Sequence, residues 1–352
     1  MGKRVYLIIP DLHLGNVKAA NRKNYRAEVE YVESELLKIA IKYRKQSYDV
    51  VALLLGDIFH NSYSDVTTAL IDKDFLDLWQ KKIGQLYTVV GNHELSYYKA
   101  NPFYTAIRTI DSERLQRVMN KVWMPLGTSN TLNVVDRLDD GEVHFYFNHF
   151  GTGIQLPDEI GVNIGLFHQD ILDPEIKSAT SHSGINLDYV KATSIEKSGI
   201  LGGYQYCYFG HLHTVYGVWK ANETFLVYLG SLGRPNETEV RDDLLERNIP
   251  GVIVDDGTFV KIEDNFIQLM SREECIFEDV VTKMQQKSQD TKEITEARNY
   301  VPLGDDPVKN ILVRFAENPG IVGLVNDLAY SEYDTRYVEL ERKMRKLGVR
   351  NK

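Results

Sequence analysis

The sequence has few cysteines and no long hydrophobic run. Only Cys207 and Cys275 occur among 352 residues, so at most one disulfide can form and a cysteine-based structural zinc site is excluded. The longest apolar run, residues 50–55, is far shorter than the roughly 20 residues of a membrane-spanning helix. The first residues also lack the hydrophobic region of a secretory signal. We therefore expect a cytoplasmic protein without a membrane segment.

An excess of positive charge is absent as well. Lys and Arg total 41 against 50 for Asp and Glu, and the net charge of −9 argues against a protein that coats nucleic acid through bulk charge. The charges are unevenly distributed along the chain, because residues 16–26 and 342–352 are basic and contain no acidic residue. The first of these stretches contains Lys18, Arg22, Lys23 and Arg26.

Short apolar runs alternate with longer amphipathic stretches in the first half of the chain. Residues 5–9, 50–55 and 86–90 are the predicted strands, and residues 26–45 and 67–83 are the predicted helices between them. This alternation indicates a largely parallel sheet. Beyond about residue 130 the apolar runs become shorter and closer together, with turn sequences between them, which predicts a second sheet packed beside the first.

The length of the chain predicts more than one domain. We expect a main domain at residues 1–262, a polar connecting segment at 263–309 and a small C-terminal unit of mixed α and β structure at 310–352. Within that unit an apolar helical stripe begins near Tyr333. Because fewer than about 40 residues rarely fold alone, we expect the stripe to bind a partner, although it could also pack back onto the main domain.

Residues that can bind a metal ion follow five of the predicted strands. They are Asp11 and His13, Asp57, Asn92 with His93 and Glu94, His168, and His211 with His213. Because the carboxyl ends of parallel strands lie at one edge of a sheet, we expect these side chains to converge. In each Asp-x-His or His-x-His pair, an extended backbone would place both side chains on the same side. Carboxylates, imidazoles and an amide without a nearby thiolate favour ions such as Mn²⁺, Zn²⁺ or Fe²⁺, and the donors suffice for two.

These motifs together resemble the calcineurin-like metallophosphoesterase superfamily. The resemblance rests on Asp11-x-His13, Gly56-Asp57, the Gly-Asn-His-Glu sequence at 91–94, His168 and Gly210-His211-x-His213. It implies an α/β fold, a two-sheet β-sandwich flanked by helices, with a dinuclear metal centre. Three segments are similar to the branch of double-strand-break repair nucleases that includes SbcD and phage recombination endonuclease subunits, namely residues 11–15, 56–60 and 228–232.

The resemblance also implies a role for each residue. One divalent ion would be bound by Asp11, His13, Asp57 and His213, and the other by Asp57, Asn92, His168 and His211. His93 would remain off the metals and protonate or orient the leaving-group oxygen. His60 and Glu94, which depart from the residues usual at their positions, would lie behind the ligands. The ions would be Mn²⁺ first, with Mg²⁺, Zn²⁺ or Fe²⁺ as alternatives.

The function implied by the nuclease branch is a Mn-dependent DNA exonuclease and endonuclease. Its substrates would be duplex ends and single strands, and it would act as a homodimer with an SbcC-type coiled-coil ATPase. The resemblance also implies the cytoplasm of a bacterial cell or of a phage-infected host. Lys18, Arg22, Lys23 and Arg26 would contact the phosphate backbone, because their stretch directly follows the first motif. Two alternatives are a phosphodiesterase or phosphomonoesterase for a small substrate and a non-catalytic scaffold. The second is disfavoured because every expected ligand is present.

Overall fold

The computed structural model describes residues 2–14, 23, 25–59, 82–96, 132–172, 195, 199–213, 215–232 and 246–275. By its contacts the chain divides into residues 1–281 and 282–352, and all described residues belong to the first unit. No helix within these segments is both long enough and apolar enough to cross a membrane.

The described residues form twelve strands and three helices. The strands are β1 Arg4–Ile9, β2 Asp49–Leu54, β3 Leu86–Thr88, β4 Leu132–Val134, β5 Arg137–Asp140, β6 Val143–Asn148, β7 Val162–Phe167, β8 Tyr206–Phe209, β9 Tyr216–Ala221, β10 Thr224–Leu229, β11 Glu246–Asp255 and β12 Phe259–Gln268. The helices are α1 Tyr25–Lys45, α2 Asn92–Ser96 and α3 Arg272–Cys275.

The first sheet has the strand order β12-β11-β1-β2-β3-β4. Strands β1 to β4 are parallel to one another, and β11 and β12 add an antiparallel edge. The register pairs Ile9 with Leu54, so β1 and β2 end at the same level. The connections that follow these two strands therefore begin side by side.

The second sheet has the order β5-β6-β7-β8-β10-β9, again with a parallel centre and antiparallel edges. Its register pairs Phe167 with Phe209. The residues after β7 and β8 consequently leave this sheet at the same level, as those after β1 and β2 do in the first sheet.

Successive side chains of β1 point into two different layers of the hydrophobic core, one on each face of the first sheet. Tyr6 and Ile8 pack between the sheets with Phe145 and Leu166, whereas Leu7 faces the side covered by α1. A third apolar cluster covers the outer face of the second sheet. The predicted two-sheet sandwich flanked by helices is thus confirmed, with its interior formed by apolar side chains from both sheets.

Helix α1 matches the predicted amphipathic stretch. Its buried residues Leu36, Ala40 and Tyr43 recur at spacings of four and three and face the first sheet. Glu28 near its start and basic residues in its last turn have signs that favour the helix dipole. The helix therefore forms where its apolar stripe can be buried against β1 and β2.

The first sheet continues beyond residue 262, the C-terminal limit expected for the main domain. Strand β12 pairs with β11 along its whole length and continues to Gln268, so the sheet extends past residue 262. This edge strand has a largely exposed face, which explains why its apolar pattern is weak. The predicted helix at 67–83 lies almost wholly outside the described residues, as does the C-terminal unit at 310–352, and these remain predictions.

Candidate metal centre

The connections after the parallel strands bring the seven predicted ligands together. The backbone N–H of His13 donates to the Asp57 carbonyl (2.9 Å), which joins the connections after β1 and β2. In the same way, the backbone N–H of His211 donates to Asp11 Oδ2 (2.8 Å) and joins the two sheets. The ligands therefore meet at one edge of the sandwich.

The first ligand set consists of Asp11, His13, Asp57 and His213, whose potential ligand atoms lie within 4.8 Å of one another. The Nε2 atoms of His13 and His213 are 2.7 Å apart. His213 Nε2 lies 3.3 Å from Asp11 Oδ2, and His13 Nε2 lies 3.7 Å from Asp57 Oδ2. Two carboxylates and two imidazoles thus surround a common position.

The second ligand set consists of Asp57, Asn92, His168 and His211. Ligand atoms of its two histidines and of Asp57 lie within 4.8 Å of one another. Asn92 Oδ1 is 3.0 Å from His168 Nε2, and that nitrogen is 3.3 Å from Asp57 Oδ1. Asp57 therefore belongs to both sets, one oxygen facing each.

Two buried oxygens in these sets support the binding of cations. Within the described part of the chain, Asp11 Oδ1 and Asp57 Oδ2 have no hydrogen-bond partner although both atoms are buried. A buried carboxylate oxygen without a partner is costly unless a cation satisfies it. The combination of carboxylate, amide and imidazole donors suits two divalent ions, as expected for the sequence motifs.

The carboxylates and imidazoles of the centre shift one another's pKa values. Burial opposes ionisation of Asp57, but the facing imidazoles of His168, His13 and His93 outweigh it and hold the pKa of this carboxyl well below its usual range. Burial likewise lowers the pKa of His168, but the carboxylates of Asp57 and Asp11 prevail and raise it to about 9. The Asp57 carboxyl is therefore ionised and can act as the anion that the two sets share.

The backbone at the ligands differs from the extended segments that the alternating spacing suggested. His13, Asp57 and His211 have φ values of 48°, 44° and 71°, in the left-handed region that non-glycine residues seldom adopt. The prediction of an extended backbone in the Asp-x-His and His-x-His pairs is therefore wrong. The side chains converge because the chain turns sharply at these residues, and such strained backbone is common at functional sites.

Gly91 permits the close approach of the connections after β2 and β3. A Cβ atom added at this position would overlap Asp57 Oδ1. Glycine is thus required where the second of these connections passes the shared ligand.

Glu94 links the connections after β2 and β3 through hydrogen bonds to their backbones. Its carboxylate accepts hydrogen bonds from the backbone N–H groups of Asp57 (3.0 Å), Phe59 (3.0 Å) and Gly91 (2.8 Å). Burial, together with the Asp57 carboxylate, raises the pKa of Glu94. Glu94 lies outside both ligand sets and supports the backbone that carries the ligands.

His93 lies beside the ligands but belongs to neither set. Its Nε2 is 3.9 Å from Asp57 Oδ2, and its ring meets the His13 ring edge-on with centroids 4.8 Å apart. The His93 side chain is 25% exposed, compared with 13% for His211 and 12% for His213. Its imidazole is thus the most exposed of these three histidine rings.

The other predicted residues are only partly described. Lys23 is exposed, and its backbone N–H donates to the Cys275 carbonyl (2.7 Å). Lys18, Arg22 and His60 lie outside the described residues, and so does the side chain of Arg26. Their contacts with substrate or ligands remain predictions.

Sequence reasoning missed Asp170. Its Oδ1 lies 2.7 Å from His211 Nε2. The sequence signal is a carboxylate two residues after His168, but the histidine it contacts is 41 residues further along the chain. Such a pair is found only once the ends of β7 and β8 are aligned.

The comparisons with solved structures return weak overall similarity. Vacuolar protein sorting 29 from Cryptosporidium parvum is 12% identical with a TM-score of 0.32, covering 76% of this chain and 100% of that one. The 5'-nucleotidase precursor from Thermus thermophilus is 15% identical with a TM-score of 0.35, covering 85% and 60%. The Haemophilus influenzae NAD nucleotidase NadN is 13% identical with a TM-score of 0.35, covering 94% and 61%. The chain thus spans about 60% of each nucleotidase's length.

The sequence of the chain matches a known protein family. No curated protein matches the chain significantly. Residues 5–215, however, match the family described as calcineurin-like phosphoesterase. That match covers more than half of the chain and runs from β1 to just beyond the last predicted ligand motif. With this match, the chain belongs to the calcineurin-like phosphoesterase family of metal-dependent phosphoester hydrolases, which bind two divalent ions.

Proposed function

We propose that the chain is a Mn-dependent DNA nuclease subunit that hydrolyses phosphodiester bonds at DNA ends. The observation that carries the proposal is the pair of ligand sets that share Asp57, with the partly exposed imidazole of His93 beside them. Two divalent ions bound in such sets lower the pKa of a bound water and stabilise the attacking and leaving oxygens of a phosphodiester.

Three residues of the chain would have separate roles in this reaction. Asp57, ionised and buried, would hold the two sets at a fixed separation. His93 would provide the proton that the departing oxygen of the cleaved diester needs, because it is close to the centre and outside both sets. Glu94 would keep the backbone of both connections in place through its three hydrogen bonds.

Two further features favour DNA as the substrate. The segments at 11–15, 56–60 and 228–232 resemble the nuclease branch, and Ser231 in the last of them pairs with Asp11 in a β-bridge. The basic stretch at 16–26 begins two residues after Leu14, which itself pairs with Phe59 beside the second connection. A basic stretch so close in sequence to the first motif is a candidate contact for the phosphate backbone of DNA.

The substrate class can be tested on the purified full chain. Linear duplex DNA, single-stranded DNA, a chromogenic phosphodiester and a chromogenic phosphomonoester would be offered with Mn²⁺, Mg²⁺, Zn²⁺ or Fe²⁺. We expect cleavage of DNA and of the diester, strongest with Mn²⁺. Hydrolysis of the monoester without cleavage of DNA would favour the small-substrate enzyme. A chain that binds two ions but hydrolyses none of these compounds would favour the scaffold.

We also propose that residues 310–352 bind the base of the coiled coil of an SbcC-type ATPase. The predicted apolar stripe near Tyr333 would form the helix-in-groove contact. Truncation after residue 308 should preserve metal-dependent cleavage but abolish co-purification with the ATPase. Sedimentation of the full chain tests the expected homodimer. A truncated chain that still forms the complex would refute this assignment.

A further inference from the structure

Asp170 and His211 form a hydrogen-bonded pair at the second ligand set. Asp170 Oδ1 lies 2.7 Å from His211 Nε2, and the two side chains are 27% and 13% exposed. A carboxylate can only accept a hydrogen bond, so the nitrogen that faces it carries the proton. The other ring nitrogen, Nδ1, then has the lone pair that a cation requires.

We propose that Asp170 is a positioning residue for the second metal ion. It holds the His211 ring in the tautomer protonated on Nε2, with Nδ1 as the ligand atom. This proposal rests on the metal centre of the proposed function but does not depend on DNA as the substrate.

Packing already fixes where the His211 ring lies. Its ring centroid is 4.9 Å from that of His168 and 5.5 Å from that of Phe150. The backbone N–H of His211 is also fixed, because it donates to Asp11 Oδ2. Packing against rings does not determine which nitrogen carries the proton. The contribution of Asp170 is therefore the protonation pattern of the ring.

The His168 ring is oriented through a different group. Its Nδ1 donates to the carbonyl oxygen of Leu55 at 2.7 Å, which leaves Nε2 facing Asp57. That carbonyl is neutral, whereas Asp170 is a carboxylate. A carboxylate behind a metal-bound imidazole also makes the ring a better donor, and loss of such a partner typically lowers metal affinity by about 10-fold to 100-fold.

Asp170 is placed independently of the ligands. The side chain of the preceding residue, Gln169, donates to the carbonyl oxygens of His149 (3.0 Å) and Thr152 (3.1 Å). These bonds anchor the segment after β7 to the segment after β6. The carboxylate is thus presented from a fixed backbone.

Titration of the full chain with Mn²⁺, without any nucleic acid, measures the effect on binding. We expect two ions in the wild type, and in Asp170→Ala a loss of about 10-fold to 100-fold in the affinity for one of them. Asp170→Glu should restore part of that affinity, since it returns a carboxylate. Glu223→Ala is the matched control, because it removes an exposed carboxylate that pairs with Lys220 on the far edge of the second sheet.

Nitrogen-15 spectra of the histidine rings in the metal-free chain provide a second readout, with the His211 signals identified from His211→Gln. The wild type should show His211 protonated on Nε2, and Asp170→Ala should show both tautomers. A purely structural role would not change the tautomer. A wild-type His211 protonated on Nδ1, or an Asp170→Ala chain that binds both ions with wild-type affinity, would overturn the proposal. Failure of DNA cleavage would contradict only the proposed substrate.

Discussion

The two ligand sets share Asp57 but are held in different ways. Both sets contain a histidine with positive φ, His13 in the first and His211 in the second. In the first set a backbone hydrogen bond from His13 to Asp57 also joins the two connections that carry the ligands. In the second set the rings of His168 and His211 are oriented by hydrogen bonds to Leu55 and Asp170. The difference is that a backbone contact between two turns supports the first set, whereas hydrogen bonds to the imidazole rings support the second.

The sets also differ in charge. The first contains the carboxylates of Asp11 and Asp57, whereas the second contains Asp57 and the neutral amide of Asn92. Asp170 adds negative charge to the second set through His211 rather than by direct contact. We therefore expect the first ion to bind more tightly, because more anionic ligands surround it.

Asp57→Ala should have the largest effect, because it removes the residue that the sets share. We expect activity and high-affinity occupancy of the pair to be abolished, with loss of at least one ion, since two neighbouring cations repel each other without a shared anion. Metal analysis after gel filtration measures the occupancy. Asp158→Ala, which removes an exposed carboxylate, serves as control. Two tightly held ions in Asp57→Ala would refute the shared role.

His93→Ala should leave both sets intact and still reduce turnover strongly. We expect a decrease of about 100-fold to 10,000-fold, the usual contribution of a positioned general acid. Metal content and DNA affinity should remain at wild-type levels, because His93 lies outside both sets. The assignment fails if the variant loses an ion and each fully loaded centre retains its rate.

The parallel strands and their ends were predictable because both signals are local. The apolar runs of β1 and β2 are buried on both faces, and polar residues follow them directly. The residue types at these ends also sufficed to predict the binding of divalent metal ions. Strand β12 was not predictable in this way. It is an edge strand in which Lys261, Glu263 and Asp264 occupy exposed or partly exposed positions, so its sequence shows little alternation of apolar and polar residues.

The support for the ligands was less predictable. The left-handed backbone of His13 could not be inferred from its residue type, since histidine adopts it only where the surrounding structure demands it. The contact between Asp170 and His211 depends on the alignment of two strands in the second sheet. Glu94 was expected behind the ligands, but its three backbone partners come from two different connections. Such long-range contacts follow from the assembled fold.

Glu94→Ala should weaken both sets together, because the carboxylate supports both connections. It leaves three buried backbone N–H groups without their acceptor, at about 1–3 kcal/mol for each if nothing relaxes. We expect the free energy of unfolding to fall by about 3 kcal/mol, measured by urea denaturation. The free energy of unfolding of Glu94→Asp should lie between those of the wild type and Glu94→Ala. The control Glu223→Ala should not change it. Loss of a single ion without loss of stability would place Glu94 in one set only.

Replacement of Lys18, Arg22 and Lys23 by Ala should have the smallest effect on chemistry, because these residues belong to neither ligand set. Lys23 is exposed and its segment is anchored through its backbone N–H, so loss of its side chain should not disturb the fold. We expect the KM for duplex DNA to rise about 10-fold and the salt slope of binding to fall by up to about three.

Hydrolysis of a chromogenic diester by this triple variant should stay within about twofold of wild type, because that substrate has no phosphate backbone beyond the reacting diester. Lys38, Lys220 and Lys261 are exposed lysines outside that stretch, and their joint replacement by Ala is the matched control for charge. Phosphate contacts lower KM without altering the reacting bond. An equal loss on DNA and on the diester would instead mean that the stretch shapes the first ligand set, whose His13 lies just before it in the sequence.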